Sequence, residues 1–268
     1  MRYLRIFAIA LLAMITITSL GAGFVAPANY ATQFREAPNA APSSAHWLGT
    51  DQLGRDRFAR ILYGTRVSLL LAPAAALLST LLAALIGGVA GFVGGAWQHM
   101  ATVLIDLVLS LPWLFLLITV RALLPLNVSP LTSVIVTFLL LGMLGWAASA
   151  RVMCASAAVV RNSDFVLQAR ATGIRGCRLA IVHVLPNLKP LLFAQFWISV
   201  PIFILAEANL GILGLGVAEP LPSWGSLLRE LEDLAIYSGA LWKVVPLVLL
   251  IVVVSSFELL LSRNEVGA

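Results

Sequence analysis

An all-α, polytopic membrane protein with about six transmembrane helices is the fold class this sequence predicts, and three observations carry it. Of 268 residues, 60% are hydrophobic and 11% charged, with a mean hydropathy of +0.99, whereas an average soluble domain is about 25% charged. The charges are separated by long gaps. No Asp, Glu, Lys or Arg occurs from Ile6 to Phe34, from Val67 to Ile105 or from Ala122 to Ala150, and shorter gaps run from Pro190 to Ala206 and from Val244 to Phe257. A crossing needs about 20 apolar residues and a charge at mid-depth costs on the order of 2.5–3.5 kcal/mol, so these gaps mark the spans. The runs are also apolar on every face, whereas a β-barrel alternates apolar with lumen-facing polar residues over segments of about ten.

The first span is expected at Ile6–Ala26. Arg2 and Arg5 precede it, which places the N-terminus in the cytoplasm, and six crossings return the C-terminus there. Residues 1–31, with a basic start, an apolar core and an A-N-Y-A ending, also fit a secretory leader, although the apolar run exceeds the roughly 7–15 residues of a leader core. Residues 27–66 form the first external loop. Its Pro-, Asn- and Ala-rich start predicts an irregular connector, and H-W-L-G-T-D-Q-L-G-R-D-R-F-A-R-I-L-Y-G-T-R, with Trp and Tyr among basic residues, reads as an anchor at the headgroups. The second span, Ser68–Val93, carries Gly87, Gly88, Gly91, Gly94 and Gly95 near its end, a face that lets another helix approach closely. The third, Met100–Leu124, includes Asp106 and Arg121, and Pro112 allows a kink. The fourth is Leu131–Ala150, the fifth Leu191–Leu213 and the sixth Leu241–Leu261.

Between spans four and five the chain is polar and basic, with Arg151, Arg161, Arg170, Arg175, Arg178 and Lys189. This loop and the first helix set the orientation, because Arg35, Arg55, Arg57, Arg60 and Arg66 fall in the external loop against the positive-inside trend. From Asp164 to Ala171 the residues favour helix, Gly173 and Gly176 break it, and Leu179–Val184 resumes an apolar helix ending at Pro186. The result is a helical elbow, to be set against an ordinary basic loop. After span five, a Gly- and Pro-rich turn leads to Leu227, Leu228 and Leu231 opposite Arg229, Glu230, Glu232 and Asp233, an amphipathic stretch able to lie on the outer membrane surface.

Ionisable residues at depth are functional suspects, so Asp106 and Glu207 are candidates for the pathway or its gate, while Glu258 reads as interfacial. Other chemistry finds little support. The 17 Lys and Arg are scattered without a basic, aromatic-bearing stripe, which argues against nucleic acid. H-E-x-x-H, G-x-S-x-G and G-x-x-x-x-G-K-[ST] are absent, and His46, His99 and His183 fall in three separate loops, so no hydrolytic site, metal cluster or nucleotide loop is expected. Cys154 and Cys177 lie in or beside a cytoplasmic loop, where a disulfide is not expected.

The stretch D-F-V-L-Q-A-R-A-T-G-I-R-G-C-R-L-A-I-V-H-V-L-P-N from Asp164 to Asn187 resembles the E-A-A-x3-G-x9-I-x-L-P signature of ABC importer permeases. Leu167, Gln168 and Ala169 fall on E-A-A, Gly173 on the glycine, His183 on the isoleucine, and Leu185 and Pro186 on L-P. His46–Asp56, H-W-L-G-T-D-Q-L-G-R-D, and Glu207–Gly225, E-A-N-L-G-I-L-G-L-G-V-A-E-P-L-P-S-W-G, together with I-D-L-V-L-S-L-P at the third span, are similar to segments of the dipeptide/oligopeptide/nickel C-type subunit. The resemblance covers nearly the whole chain. It implies the ABC importer permease (MetI-like) fold, with residues 1–66 as first helix and external loop and 67–268 as a five-helix core whose coupling loop spans about 151–190. It implies half of a translocation pathway in the inner membrane, a B-type second permease subunit, two cytoplasmic ATPase subunits and an external solute-binding protein. No cofactor is expected on this chain; ATP would be used by the ATPases. Asp164, Phe165, Leu167, Gln168, Ala169, Arg170, Gly173, Leu185 and Pro186 would form the ATPase-coupling loop. Peptides are the implied cargo, with nickel or another small solute as alternatives. An ion-coupled secondary transporter relaying protons through Asp106 and Glu207 is the rival, though no internal repeat is visible.

Overall fold

The computed structural model describes residues 2–125, 128–232 and 240–262, whose regular structure is helical apart from two isolated β-bridges. We number the helices α1 (Arg2–Leu20), α2 (Arg57–Val93), α3 (Gly95–Ser110), α4 (Trp113–Leu123), α5 (Pro130–Leu144), α6 (Ala147–Arg161), α7 (Asp164–Ala171), α8 (Gly176–Ile212), α9 (Trp224–Arg229) and α10 (Leu241–Leu261). Five segments are long and apolar enough to cross a membrane: α1, α2, α5 with α6, α8 and α10. The pair α3–α4, bent by 79°, makes a sixth if its two limbs count as one broken span.

Charge-free runs located the hydrocarbon but not the helix ends. The α2 and α8 segments are 37 residues each and α5–α6 is 32, or roughly 48–56 Å at 1.5 Å per residue, against a hydrocarbon core of about 30 Å. The surplus turns lie beyond the expected spans. At the start of α2, Asp56 Oδ1 accepts the Ala59 amide at 2.8 Å, an N-cap that begins the helix among arginines. Pro112 does more than kink its span. Leu111 is extended, Pro112 precedes the first turn of α4, and the helix breaks there, as a proline and its restricted predecessor require. By contrast, Pro186 ends nothing. A π-turn over Ala180–Val184 precedes it and α8 runs on, because the wider turn accommodates the ring and the missing N–H. His99 and His183 lie inside α3 and α8 instead of in loops.

The chain divides into two compact units that interleave along the sequence. Unit 1 is residues 1–72, 122–138 and 201–268, and unit 2 is residues 73–121 and 139–200. In unit 1, α1 packs along α10. In unit 2 the glycine face meets α6. A Cβ on Gly87 would stand 2.1 Å from the Ala150 carbonyl oxygen, and one on Gly91 would stand 2.2 Å from that of Cys154. The core of this unit gathers Ile105 of α3, Ala150, Met153 and Ala157 of α6, Val166 and Ala169 of α7, and Leu179, Val184 and Leu188 of α8. Cys154 is buried, Cys177 is exposed, and both are free thiols.

Candidate functional site

The elbow forms as one short helix and a turn. Asp164 lies in the first turn of α7 and Arg170 in the last, the charge order that the helix dipole favours. At the other end Gly173 N donates to Arg170 O and Ile174 N to Ala169 O, each at 3.0 Å. This is the Schellman closure, in which the residue after the cap takes a left-handed conformation. Gly173 has φ +92°, and a Cβ there would meet nothing within 4 Å. The glycine is therefore needed for its backbone, not for space.

Two faces of α7 differ in kind. Val166 is fully buried and Ala169 nearly so, joined to α6 and α8 through the unit 2 core, with Ile174 packed against it. Asp164, Phe165, Leu167 and Gln168 face outward, Phe165 at 43% and Leu167 at 49% exposure. Arg170 is half-buried and Gly173 exposed. Leu185 and Pro186 lie outside the elbow, exposed in the early turns of α8. Exposed apolar side chains on a polar turn, fixed from beneath by a core, make a surface that can take and transmit a push.

Asp106 of α3 accepts from Arg151 Nη2 of α6 at 2.7 Å, with the two side chains 45% and 59% exposed. Glu207 of α8 is fully buried in unit 1. Its Oε2 accepts from Ser68 Oγ at 3.4 Å and from Gly225 N at 3.3 Å, while Oε1 has no hydrogen-bond partner. Gly225 and Gly211 have no room for side chains here, since a Cβ on Gly211 would lie 2.2 Å from Gly225 Cα. Nearby, Trp224 Nε1 donates to Thr65 Oγ1 at 2.9 Å. Glu258 is exposed on α10.

The segment expected as a headgroup anchor instead supplies an ionic network in unit 1, in which Arg60 is fully buried and Glu219 is half-exposed. Arg60, with no exposed surface, places Nη2 3.0 Å from Glu219 Oε1 and Nε 3.5 Å from Asp51 Oδ2 and 3.6 Å from Glu230 Oε1. Arg55 pairs with Asp51 at 2.6 Å and with Glu219, and Arg57 pairs with Glu230. Three guanidiniums and three carboxylates balance, which is what lets a charge such as Arg60 be buried at all, since an uncompensated one costs several kcal/mol. Burial opposes ionisation of Glu219, but Arg60 and Arg55 outweigh it and hold the carboxyl below its usual range. Burial likewise opposes the charge of Arg55, yet Glu219 and Asp51 raise its pKa. For Glu230, burial wins over Arg57 and Arg60, and its pKa is pushed up. His46 Nδ1 lies 2.8 Å from Asp56 Oδ2.

The amphipathic stretch is also placed differently from expectation. Leu227 and Leu228 are buried inside unit 1, and Glu230 turns into the ionic network instead of toward solvent. Protein packing took the apolar side that a membrane surface would have taken. Asp233 lies outside the described residues. The pairing of Arg55, Arg57 and Arg60 with Glu219 and Glu230 joins positions 159–173 apart. The one sequence signal was complementary charge between two loops on the same side. Among the described residues no group of three or more His, Cys, Asp or Glu is arranged to hold a metal.

A family model described as "Binding-protein-dependent transport system inner membrane component" matches residues 57–264. The chain is 34% identical over 220 residues to the dipeptide transport system permease protein DppC of Bacillus subtilis, covering 82% of this chain and 67% of that protein. It is 33% identical over 189 residues to the oligopeptide transport system permease protein OppC of the same organism, covering 70% and 60%. To the di/tripeptide transport system permease protein DppC of Pseudomonas aeruginosa it is 34% identical over 240 residues, covering 87% and 76%. The chain thus spans between 60% and 76% of the length of these relatives.

Proposed function

The chain belongs to the family of binding-protein-dependent transport system inner membrane components, and from that premise we propose that it is a permease subunit of an ATP-driven importer whose cargo is peptides. Three relatives carry dipeptide, oligopeptide or di/tripeptide transport in their names, which supports the cargo. The observation that carries the mechanism is α7, with an outward face of Asp164, Phe165, Leu167 and Gln168 over a buried Val166 and Ala169. This face docks on a cytoplasmic ATPase subunit. A second, B-type permease completes the pathway, and an external binding protein delivers the cargo. ATP is bound and hydrolysed by the ATPases, whose closure moves α7 and, through the shared core, α6 and α8. In this orientation both termini are cytoplasmic and the network around Arg60 is external.

Asp106 and Glu207 serve the pathway differently. The half-exposed pair of Asp106 and Arg151 belongs to spanning segments, where charges facing lipid are costly and charges facing a bundle interior or water are common. Glu207 acts as a gate fastening, since its carboxyl group joins Ser68 of α2 to Gly225 in the first turn of α9, and a tilt of α8 has to part them.

The test is reconstitution of this chain with its second permease, ATPases and binding protein in proteoliposomes. Dipeptide uptake that needs ATP, and cross-linking of a cysteine at Leu167 to an ATPase subunit, are expected. Uptake driven by a proton gradient without ATP overturns the reading.

A further inference from the structure

Within unit 2 an open groove of about 670 Å³ runs between α2 and α8, in the roughly 300–1,000 Å³ range of ligand sites. Pro73, Leu77 and Leu81 form one wall and Leu192, Phe193 and Phe196 the other. Residues 73–84 of α2 extend about 17 Å, close to half of the roughly 30 Å hydrocarbon thickness, which is the depth of one leaflet. Two polar groups interrupt the apolar lining. Thr80 is only 6% exposed, yet its hydroxyl has no hydrogen-bond partner. Lys189 is exposed, pairs with no carboxylate among the described residues, and is the last charge before the uncharged stretch 190–206. It shares a helix face with Leu192, Phe193 and Phe196, at spacings of three, four and seven residues.

We propose that this groove binds one anionic phospholipid. An acyl chain lies against the leucines and phenylalanines, the Lys189 ammonium meets the phosphodiester, and the Thr80 hydroxyl donates to an ester carbonyl oxygen. The apolar length suits a lipid tail, and the one ionisable group lining the groove is a cation placed where the charge-free stretch begins, as in basic pockets between helices that hold acidic headgroups. The permease reading enters only in assigning the lipid to the cytoplasmic leaflet.

The whole assembly, in nanodiscs of equal phosphatidylglycerol and phosphatidylcholine, is transferred to mild detergent, and the retained lipid is measured by native mass spectrometry. Several-fold enrichment of phosphatidylglycerol is expected for the natural chain and for Lys189→Arg. Lys189→Glu should bring the ratio to that of the bulk, and Leu77→Trp should remove the lipid altogether. A photoreactive residue replacing Phe193 in the otherwise unaltered chain should capture lipid, and this decides the matter if Lys189→Glu does not assemble. Equal retention of both lipids by the natural chain, enrichment that survives Lys189→Glu, or capture of the second permease subunit at position 193 overturns the proposal. Dipeptide uptake with ATP, measured on the same preparations, reports separately on the permease reading.

Discussion

Glu219 and Gly173 show how single side chains and single torsions hold this protein. Arg60 and Arg55 keep the Glu219 carboxyl below its usual range against the effect of burial. A depressed folded-state pKa gives stability that is full above the ordinary value of about 4.3 and is lost as pH falls through the lower folded value. Glu219→Gln should therefore lower the melting temperature near neutrality and flatten its fall on acidification below about pH 4.3, followed by thermal denaturation across pH. An unchanged acid slope would place the loss in other carboxylates. At Gly173, φ +92° and open surroundings mean that a side chain pays through the backbone alone. Gly173→Val adds left-handed strain of about 1–2 kcal/mol and loosens the end of α7. Uptake per ATP hydrolysed should fall several-fold while insertion in the membrane persists; unchanged uptake would count against the elbow as a lever.

At the scale of elements, the glycine seam between α2 and α6 was legible because small residues at helical spacing have few uses other than close approach in lipid. Its partner was not, since nothing local points from Gly91 to Cys154. Gly91→Leu drives a side chain into that carbonyl, 2.2 Å from the first added carbon, and overpacking costs typically 1–3 kcal/mol or more. The expected outcome is a lower yield of assembled complex with a reduced melting temperature. The same substitution at Gly95, where a Cβ meets nothing within 4 Å, should leave the seam intact, although its φ of +58° carries a strain of its own. Helix ends were the least legible feature. Charge-free runs stop at Val67, whereas α2 starts at Arg57 because distant carboxylates neutralise Arg57 and Arg60. Likewise the Leu-Pro at 185–186 read as a stop, and the π-turn at Ala180–Val184 that carries the helix past it has no local sequence mark.

For the whole molecule, composition sufficed for an all-helical membrane protein, and three ordered motifs sufficed for the family, which the match over residues 57–264 bears out. The network around Arg60 is hard to foresee because its members come from segments 159–173 residues apart, and each segment taken alone resembles an interfacial one. Orientation is where charge acts on the molecule as a unit. In the proposed orientation, charge reversal at Arg170, half-buried in the last turn of α7, should weaken co-purification of the ATPase several-fold, whereas reversal at Arg35, exposed in the first loop, should not. Equal loss from both would mean that the two residues act through folding.

The break at Leu111–Pro112 leaves α3 at 16 residues and α4 at 11, about 24 and 17 Å long, so neither limb alone traverses a bilayer. Amide and carbonyl groups freed at such a hinge are not tolerated against lipid tails. Ser110, Leu111 and Pro112 are uncovered in the chain itself, so in the bilayer the hinge must meet either a partner subunit or a hydrated vestibule, and only the second admits a charged reagent. A cysteine replacing Ser110 should react with an impermeant maleimide in the intact assembly, while one replacing Val248, exposed on α10, should stay shielded by hydrocarbon; equal shielding of the two would leave the vestibule dry.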